Sequence, residues 1–143
     1  MILPDVNVLI YALRDDSEDH PRYREWLQSL ANGPAAYGIC PQTLASVVRI
    51  VTNARVFKRP TKLTDALSFC EALLAQPNCQ VIAPGDRHWQ IFRNLCCAGD
   101  ARGNLVQDAW FAALAIEAGC EWITLDRDYA RFDGLRWRAP FQP

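Results

Sequence analysis

The chain has 143 residues, of which half are hydrophobic and 22% are charged, and its formal net charge is −1 at pH 7. This composition is typical of a folded globular protein and excludes an intrinsically disordered chain. No apolar run is long enough to cross a bilayer and no secretory leader is recognisable, so the sequence predicts one domain, residues 1–143, in the cytoplasm and away from any membrane.

Strands and helices are predicted to alternate along the chain. Strands are predicted at 1–5, 36–40, 80–83, 122–125 and 135–138. Helices are predicted at 6–13, 21–32, 41–52, 64–76, 86–98 and 104–118. Asp5 is expected to cap the first helix, Thr64 to open the fourth, and Gly119 to end the last, while Asn104 and Gln107 resemble a capping box. The alternation predicts an α/β fold with a central, mainly parallel sheet of four to five strands that helices cover on both faces.

The six cysteines indicate reduced thiols and give no sign of a zinc site. None is spaced as C-x-x-C, and the chain has two histidines, His20 and His88. Cys70 and Cys120 fall on segments that should face the core. The sequence therefore favours buried free thiols over a disulfide framework, as in a reducing compartment.

Four aspartates occupy positions that favour a metal site. Asp5 follows the first strand, and Asp126 and Asp128 follow the fourth, where ligands of parallel sheets collect. Asp108 lies beside the apolar face of its helix. Each has a structural alternative: a helix cap for Asp5, an ion pair with an arginine such as Arg49 or Arg102 for Asp108, and a surface turn for the D-x-D segment.

Carboxylates gathered near a core repel one another and resist desolvation, and a bound cation relieves both costs. Oxygen ligands alone favour Mg²⁺, with Mn²⁺ as a possible substitute, and such an ion supports phosphodiester cleavage. Asp126 is a stronger candidate than Asp128 because it lies nearer the strand. Asn7 and Thr124 are candidates for holding a metal-bound water or a neighbouring carboxylate.

A basic segment indicates a phosphate-contacting rim. Residues 49–62 contain five basic and no acidic side chains. Four of them, Arg49, Arg55, Lys58 and Arg59, are predicted to contact RNA. For any one of them the alternative is an ordinary solvated surface charge.

Four segments carry a resemblance to a known family: residues 4–12 (PDVNVLIYA), 49–53 (RIVTN), 104–109 (NLVQDA) with 112–115 (AALA), and 124–129 (TLDRDY). In this order and spacing they resemble the PIN-domain family, and within it the toxins of type II VapBC toxin–antitoxin pairs. The resemblance implies an α/β/α sandwich, magnesium-dependent endoribonuclease activity on RNA, a cognate VapB-type antitoxin and frequent homodimerisation. It further implies that Asp5 and Asp108 are the core metal ligands and that Asp126, with or without Asp128, completes the catalytic site.

One departure from the family keeps a second reading open. Many PIN domains have a glutamate three residues before the arginine that is Arg49 here, and this chain has Ser46 at that position. Loss of a carboxylate should weaken metal binding, so the alternative is a PIN-like module that binds RNA or protein without cleaving. A haloacid-dehalogenase-type phosphatase is disfavoured because it needs a second aspartate where this chain has Asn7.

Four aromatic residues raise the question of a partner surface. Tyr11, Trp26, Trp89 and Trp110 could line a groove for an antitoxin helix or a dimer face. Ordinary core packing is the alternative for each of them.

Overall fold

The structure is a computed structural model that describes residues 1–142, so the predicted domain end at Pro143 lies outside the described residues. Its strands are β1 (Ile2–Pro4), β2 (Tyr37–Ile39), β3 (Cys79–Val81), β4 (Glu121–Ile123) and β5 (Trp137–Arg138). Its helices are α1 (Val6–Leu13), α2 (His20–Asn32), α3 (Pro41–Val51), α4 (Leu63–Leu74), α5 (His88–Gly99) and α6 (Asn104–Ala118), with a 3-10 helix at Arg127–Arg131.

The five strands form one parallel sheet in the order β3-β2-β1-β4-β5, which confirms the predicted α/β fold and its parallel sheet. The first strand lies in the middle, and its Pro4 pairs with Ile123 of β4. The backbone N–H of Asp5 continues this pairing by donating to the carbonyl oxygen of Ile123 at 2.8 Å. The residues that follow β1 and β4 are therefore neighbours at the carboxyl edge of the sheet.

Two hydrophobic clusters pack the helices onto the sheet. One cluster contains side chains from the four helices α1, α2, α3 and α4 and from β2. It includes Val8, Leu9 and Val47, each fully buried. The other joins α5 and α6 with β1 and β4, and includes Leu114 and Trp122, also fully buried. Helices therefore cover the sheet in two separate layers, and α6, which carries Asp108, belongs to the second.

Two predicted helix-start signals were wrong, although α6 begins at Asn104 as predicted. Helix α4 begins at Leu63 after Lys62, which makes no side-chain cap, so Thr64 does not open it. Helix α6 begins after Gly103, whose φ of 58° lies in the left-handed region that glycine tolerates, and no side chain caps this end. The N-cap of α6 is therefore Gly103, and the predicted capping box of Asn104 and Gln107 does not form. The predicted Gly119 stop is confirmed, with φ 67° at the C-cap.

The cysteines and aromatic residues mostly follow the sequence expectation. All six cysteines are free, as predicted, and Cys40, Cys70 and Cys120 are buried. Burial was wrong for Cys97, which is exposed, and holds only in part for Cys79 and Cys96. Tyr11 packs edge-on against Tyr23, and Trp110 packs edge-on against His88. Trp26 also packs against the first cluster, whereas Trp89 is 68% exposed.

Within residues 1–142, no helix combines the length and apolarity that a membrane crossing requires.

Candidate active site

Asp5 is buried and both of its carboxylate oxygens are engaged. It is the N-cap of α1, where Oδ1 accepts a hydrogen bond from the backbone N–H of Val6 at 2.6 Å. Oδ2 accepts a hydrogen bond from the hydroxyl of Thr124 at 2.6 Å. The predicted capping role of Asp5 is therefore confirmed, and the second oxygen is held by the segment that follows β4.

The ionised form of Asp5 is unfavourable in this setting. Burial raises the pKa of Asp5 from 3.8 to about 6, and the nearby carboxylates of Asp108 and Asp126 add to the rise. The hydrogen bonds from Thr124 and Val6 oppose it without cancelling it. A negative charge at Asp5 thus lacks full compensation from the protein alone.

Thr124 connects the two strand ends. Its side chain is fully buried, and its hydroxyl oxygen accepts a hydrogen bond from the backbone N–H of Asp126 at 3.1 Å while donating to Asp5. The amide of Asn7 donates to the same hydroxyl at 3.5 Å and accepts from the backbone N–H of Leu125 at 3.4 Å. Thr124 therefore holds the neighbouring carboxylate of Asp5, whereas Asn7 contacts Thr124 and the Leu125 backbone and not a carboxylate. A role of either residue in holding a metal-bound water stays a prediction.

Asp108 faces the same region from the first turns of α6. Its Oδ1 accepts a hydrogen bond from the hydroxyl of Tyr129 at 3.3 Å. Burial, followed by the charges of Asp126 and Asp128, raises the pKa of Asp108, while the Tyr129 hydrogen bond and the Arg131 charge act in the opposite direction. The structural alternative of an ion pair with an arginine is not realised within residues 1–142.

Tyr129 was missed by the sequence reasoning. Its ring is 2% exposed and packs against Trp122 and Phe132 at centroid distances of 5.6 and 5.8 Å. Burial and the neighbouring carboxylates raise its pKa, so the hydroxyl stays protonated and donates to Asp108. The only sequence signal was its position directly after D-x-D, which gave no indication that the 3-10 helix turns it inward.

The four aspartates line one cleft with a volume of about 620 Å³. Asp126 is half-buried and accepts a hydrogen bond from the backbone N–H of Asp128 at 2.9 Å, whereas Asp128 is exposed. Asn7, Ser46 and Arg49 line the same cleft. The structure therefore brings together residues that the sequence places more than a hundred positions apart.

The acidic side chains share this cleft without converging on one point. Among residues 1–142, no group of three or more His, Cys, Asp or Glu side chains is arranged to hold a metal ion together. The donor chemistry nevertheless fits a hard cation, because the carboxylates offer oxygen alone and two of them carry raised pKa values.

Three of the four basic residues predicted to contact RNA lie elsewhere. Among residues 1–142, Arg55, Lys58 and Arg59 are absent from the lining of the acidic cleft, and only Arg49 belongs to it. Arg59 lines a second cleft of about 740 Å³ between α2 and α4, and its carbonyl oxygen accepts from the Arg14 guanidinium at 3.1 Å. Their predicted RNA contacts stay predictions.

Two further arginines of the acidic cleft were not predicted to contact RNA. Arg102 lies in the loop before α6, and Arg131 lies at the end of the 3-10 helix. Both are exposed; the sequence offered Arg102 only as an ion-pair partner of Asp108 and gave Arg131 no role in the site. The fold alone identifies them, because it turns both segments toward the aspartates.

Comparison with known proteins gives matches along nearly the whole chain. The PIN domain model matches residues 2–135. Ribonuclease VapC43 of Mycobacterium tuberculosis is 46% identical over 140 residues, which is 98% of this chain and 95% of that protein. Ribonuclease VapC25 of the same organism is 40% identical over 140 residues, covering 98% and 99%.

Solved structures show the same fold at lower identity. VapBC2 from Rickettsia felis, bound to a DNA fragment from its promoter, matches with a TM-score of 0.71 at 19% identity and covers 97% of this chain and 98% of that one. Mycobacterium tuberculosis VapC20, described as a sarcin-ricin-loop-cleaving toxin, matches with a TM-score of 0.65 at 14% identity and covers 95% and 99%. Given the extent of the model match and the full-length identity to VapC ribonucleases, the chain belongs to the PIN-domain family, in its VapC group.

Proposed function

We propose that this chain, as one PIN domain over residues 1–143, is a Mg²⁺-dependent endoribonuclease that acts as the toxin of a type II toxin–antitoxin pair. The observation that carries the proposal is the cleft in which Asp5, Asp108, Asp126 and Asp128 meet from three separate segments. RNA is the proposed substrate because the full-length relatives are named ribonucleases.

The proposed metal ligands are Asp5, Asp108 and Asp126, with Asp128 at the exposed side. Carboxylate oxygens alone favour Mg²⁺, and Mn²⁺ is the proposed substitute. When bound, such an ion supplies Lewis-acid charge to a phosphodiester and to an attacking water. It would also compensate the like charges that raise the pKa values of Asp5 and Asp108.

The remaining groups of the cleft position these ligands. The Thr124 hydroxyl and the Val6 backbone N–H keep Asp5 in one orientation, so this carboxylate is largely preorganised. The Tyr129 hydroxyl orients Asp108. Arg49, at the wall of the cleft, is placed to contact a phosphate of the substrate.

The proposed toxin role is supported by solved structures of the same fold that are toxin–antitoxin complexes. The solved structures with this fold include VapBC2 from Rickettsia felis and a toxin–antitoxin complex from Klebsiella pneumoniae. By analogy the proposed partners are a cognate VapB-type antitoxin and a second copy of the chain in a homodimer. Expression of the chain alone should stop growth, and co-expression of the small protein encoded beside it should restore growth.

The activity is tested by RNA cleavage with purified protein. Wild type should cleave RNA in Mg²⁺ and stop in chelator, and Asp5→Asn and Asp108→Asn should lose cleavage while remaining folded in thermal melts. Asp86→Asn is the matched control, because Asp86 is exposed and is not part of the cleft lining. Cleavage that continues in chelator at the wild-type rate would contradict the proposed mechanism.

A second candidate function is binding without cleavage. Ser46 lines the cleft at the position where the family resemblance gives a glutamate, and the acidic groups of residues 1–142 do not converge. This candidate predicts RNA retention with no product in either Mg²⁺ or Mn²⁺. Appearance of cleavage in Ser46→Glu, with none in wild type, would identify the missing carboxylate as the cause.

A further inference from the structure

Three arginines from three separate segments line the acidic cleft. They are Arg49 of α3, Arg102 of the loop before α6 and Arg131 of the 3-10 helix. All three are exposed, so their guanidinium groups face solvent in the open cleft. This arrangement places cationic groups beside carboxylates along the same wall.

These arginines form no ion pair with the aspartates beside them in the part of the chain that the structure describes, although the Arg131 charge lowers the pKa of Asp108. Within residues 1–142, no ion pair joins Arg49, Arg102 or Arg131 to a carboxylate of the cleft. Arg102 contacts Asp100 at 3.3 Å instead, where the side chains are 82% and 83% exposed, and such a pair contributes little. The guanidinium groups are therefore free to bind a ligand.

The charge of the cleft changes sign when a divalent cation enters. Its lining has four aspartates against three arginines, which leaves the ionised cleft one charge negative. One divalent cation turns this into one charge positive. A polyanion is then attracted to a cleft that otherwise repels it.

The lining favours contact with a nucleic-acid backbone over contact with bases. The aromatic side chains of the lining within residues 1–142 are Phe111 and Tyr129, which are 3% and 2% exposed, so neither offers a face for base stacking. Guanidinium groups, in contrast, match phosphate oxygens in a two-pronged geometry. Several such groups around one cleft suit successive phosphates of one strand.

We propose that Arg49, Arg102 and Arg131 bind the phosphates that flank the reacting phosphodiester of a single-stranded RNA. The proposal rests on the proposed function and extends it to two residues, Arg102 and Arg131, that the sequence did not predict to contact RNA. These contacts are independent of base sequence. They depend on a divalent cation in the cleft, because the cation sets the sign of the local charge.

The test compares Arg49→Gln, Arg102→Gln and Arg131→Gln with wild type. The matched control is Arg127→Gln, because Arg127 lies in the same 3-10 helix as Arg131 but is not part of the cleft lining. Stopped-flow anisotropy of a 5′-labelled single-stranded RNA in Mg²⁺ and in EDTA reports binding before cleavage accumulates. Gels of the same samples report whether cleavage follows.

Each of the three variants should raise Kd roughly 3- to 10-fold in Mg²⁺, and each should lower the slope of log Kd against log salt by about 0.7. Arg127→Gln should stay within about twofold of wild type. The three variants should lose the same affinity for two RNA oligomers of different sequence. Wild type should bind RNA more weakly in EDTA than in Mg²⁺.

The outcomes separate this inference from the proposed function. If the three variants bind like the control, or if wild type binds equally well in EDTA, the inference is overturned even where the gel shows cleavage. If binding falls as expected and no product forms in Mg²⁺ or Mn²⁺, the phosphate contacts stand and the nuclease proposal fails. Loss of RNA binding by wild type itself would overturn both.

Discussion

Asp5→Asn should stabilise the metal-free protein in a pH-dependent way. The raised pKa of Asp5 means that the folded state holds the carboxyl proton more tightly than the unfolded state does. Below pH 3.8 the carboxyl is protonated in both states, and its burial then costs no charge desolvation. As pH rises toward 6, the unfolded chain releases the proton first, so wild type loses stability across this window.

The change in unfolding free energy follows from the pKa shift of Asp5. A change from 3.8 to about 6 corresponds to about 3 kcal/mol at 1.36 kcal/mol per pKa unit, and Asp5 is only 7% exposed, so solvent screening removes little of it. Asparagine does not titrate and keeps an oxygen for the Val6 cap. The difference in unfolding free energy between Asp5→Asn and wild type should therefore grow by about 3 kcal/mol from pH 3.5 to pH 7.5 and then level off.

Urea unfolding in EDTA at several pH values measures this difference. The exposed Asp86→Asn variant serves as the control and should give a difference from wild type that does not change over the same range. Parallel pH curves for Asp5→Asn and wild type would refute the argument that burial and neighbouring charge destabilise this carboxylate. Addition of Mg²⁺ at 100 times its Kd should recover about 2.7 kcal/mol for wild type and much less for the variant.

The remaining predictions concern ligand support and packing. Tyr129→Phe keeps the buried ring and removes the hydrogen bond to Asp108. The affinity for Mn²⁺, measured by electron paramagnetic resonance, should therefore fall roughly 3- to 10-fold. An unchanged affinity would contradict the proposal that Tyr129 positions Asp108. Ser46→Glu adds a carboxylate to the cleft, so calorimetry should show tighter Mg²⁺ binding together with lower stability in EDTA, and neither change is expected if residue 46 points away from the ligands. Leu114→Ala empties a fully buried site and should cost about 3 kcal/mol in urea unfolding, whereas a loss under about 1 kcal/mol would contradict its core position.

The sequence predicted the long helices of the site well. Helices α1 and α6 begin and end where the pattern placed them, because their apolar periodicity is strong and Asp5 and Gly119 give local end signals. The parallel sheet followed from the alternation of elements. These features depend on short-range chemistry, which a single sequence displays directly.

The missed features depend on contacts between distant segments. The inward turn of Tyr129 requires the 3-10 helix and a pocket formed with Trp122 and Phe132. The position of Arg102 in the cleft lining depends on the loop before α6, where Gly103 has a positive φ that the sequence does not specify. An exposed arginine has no sequence pattern that separates a cleft wall from ordinary surface, so the sequence gave Arg131 no role and offered Arg102 only as an ion-pair partner of Asp108.

The acidic cleft depends most of all on the register between β1 and β4. Pro4 pairs with Ile123, and this register places the Thr124 hydroxyl 2.6 Å from Asp5 across 119 residues of chain. A slip of one residue would turn the side chain that follows β4 to the opposite face of the sheet. Leu3 and Ile123, fully buried on this strand pair, fix the register through their packing. Residues with apolar side chains thus decide whether the carboxylates at positions 5 and 126 lie in one cleft.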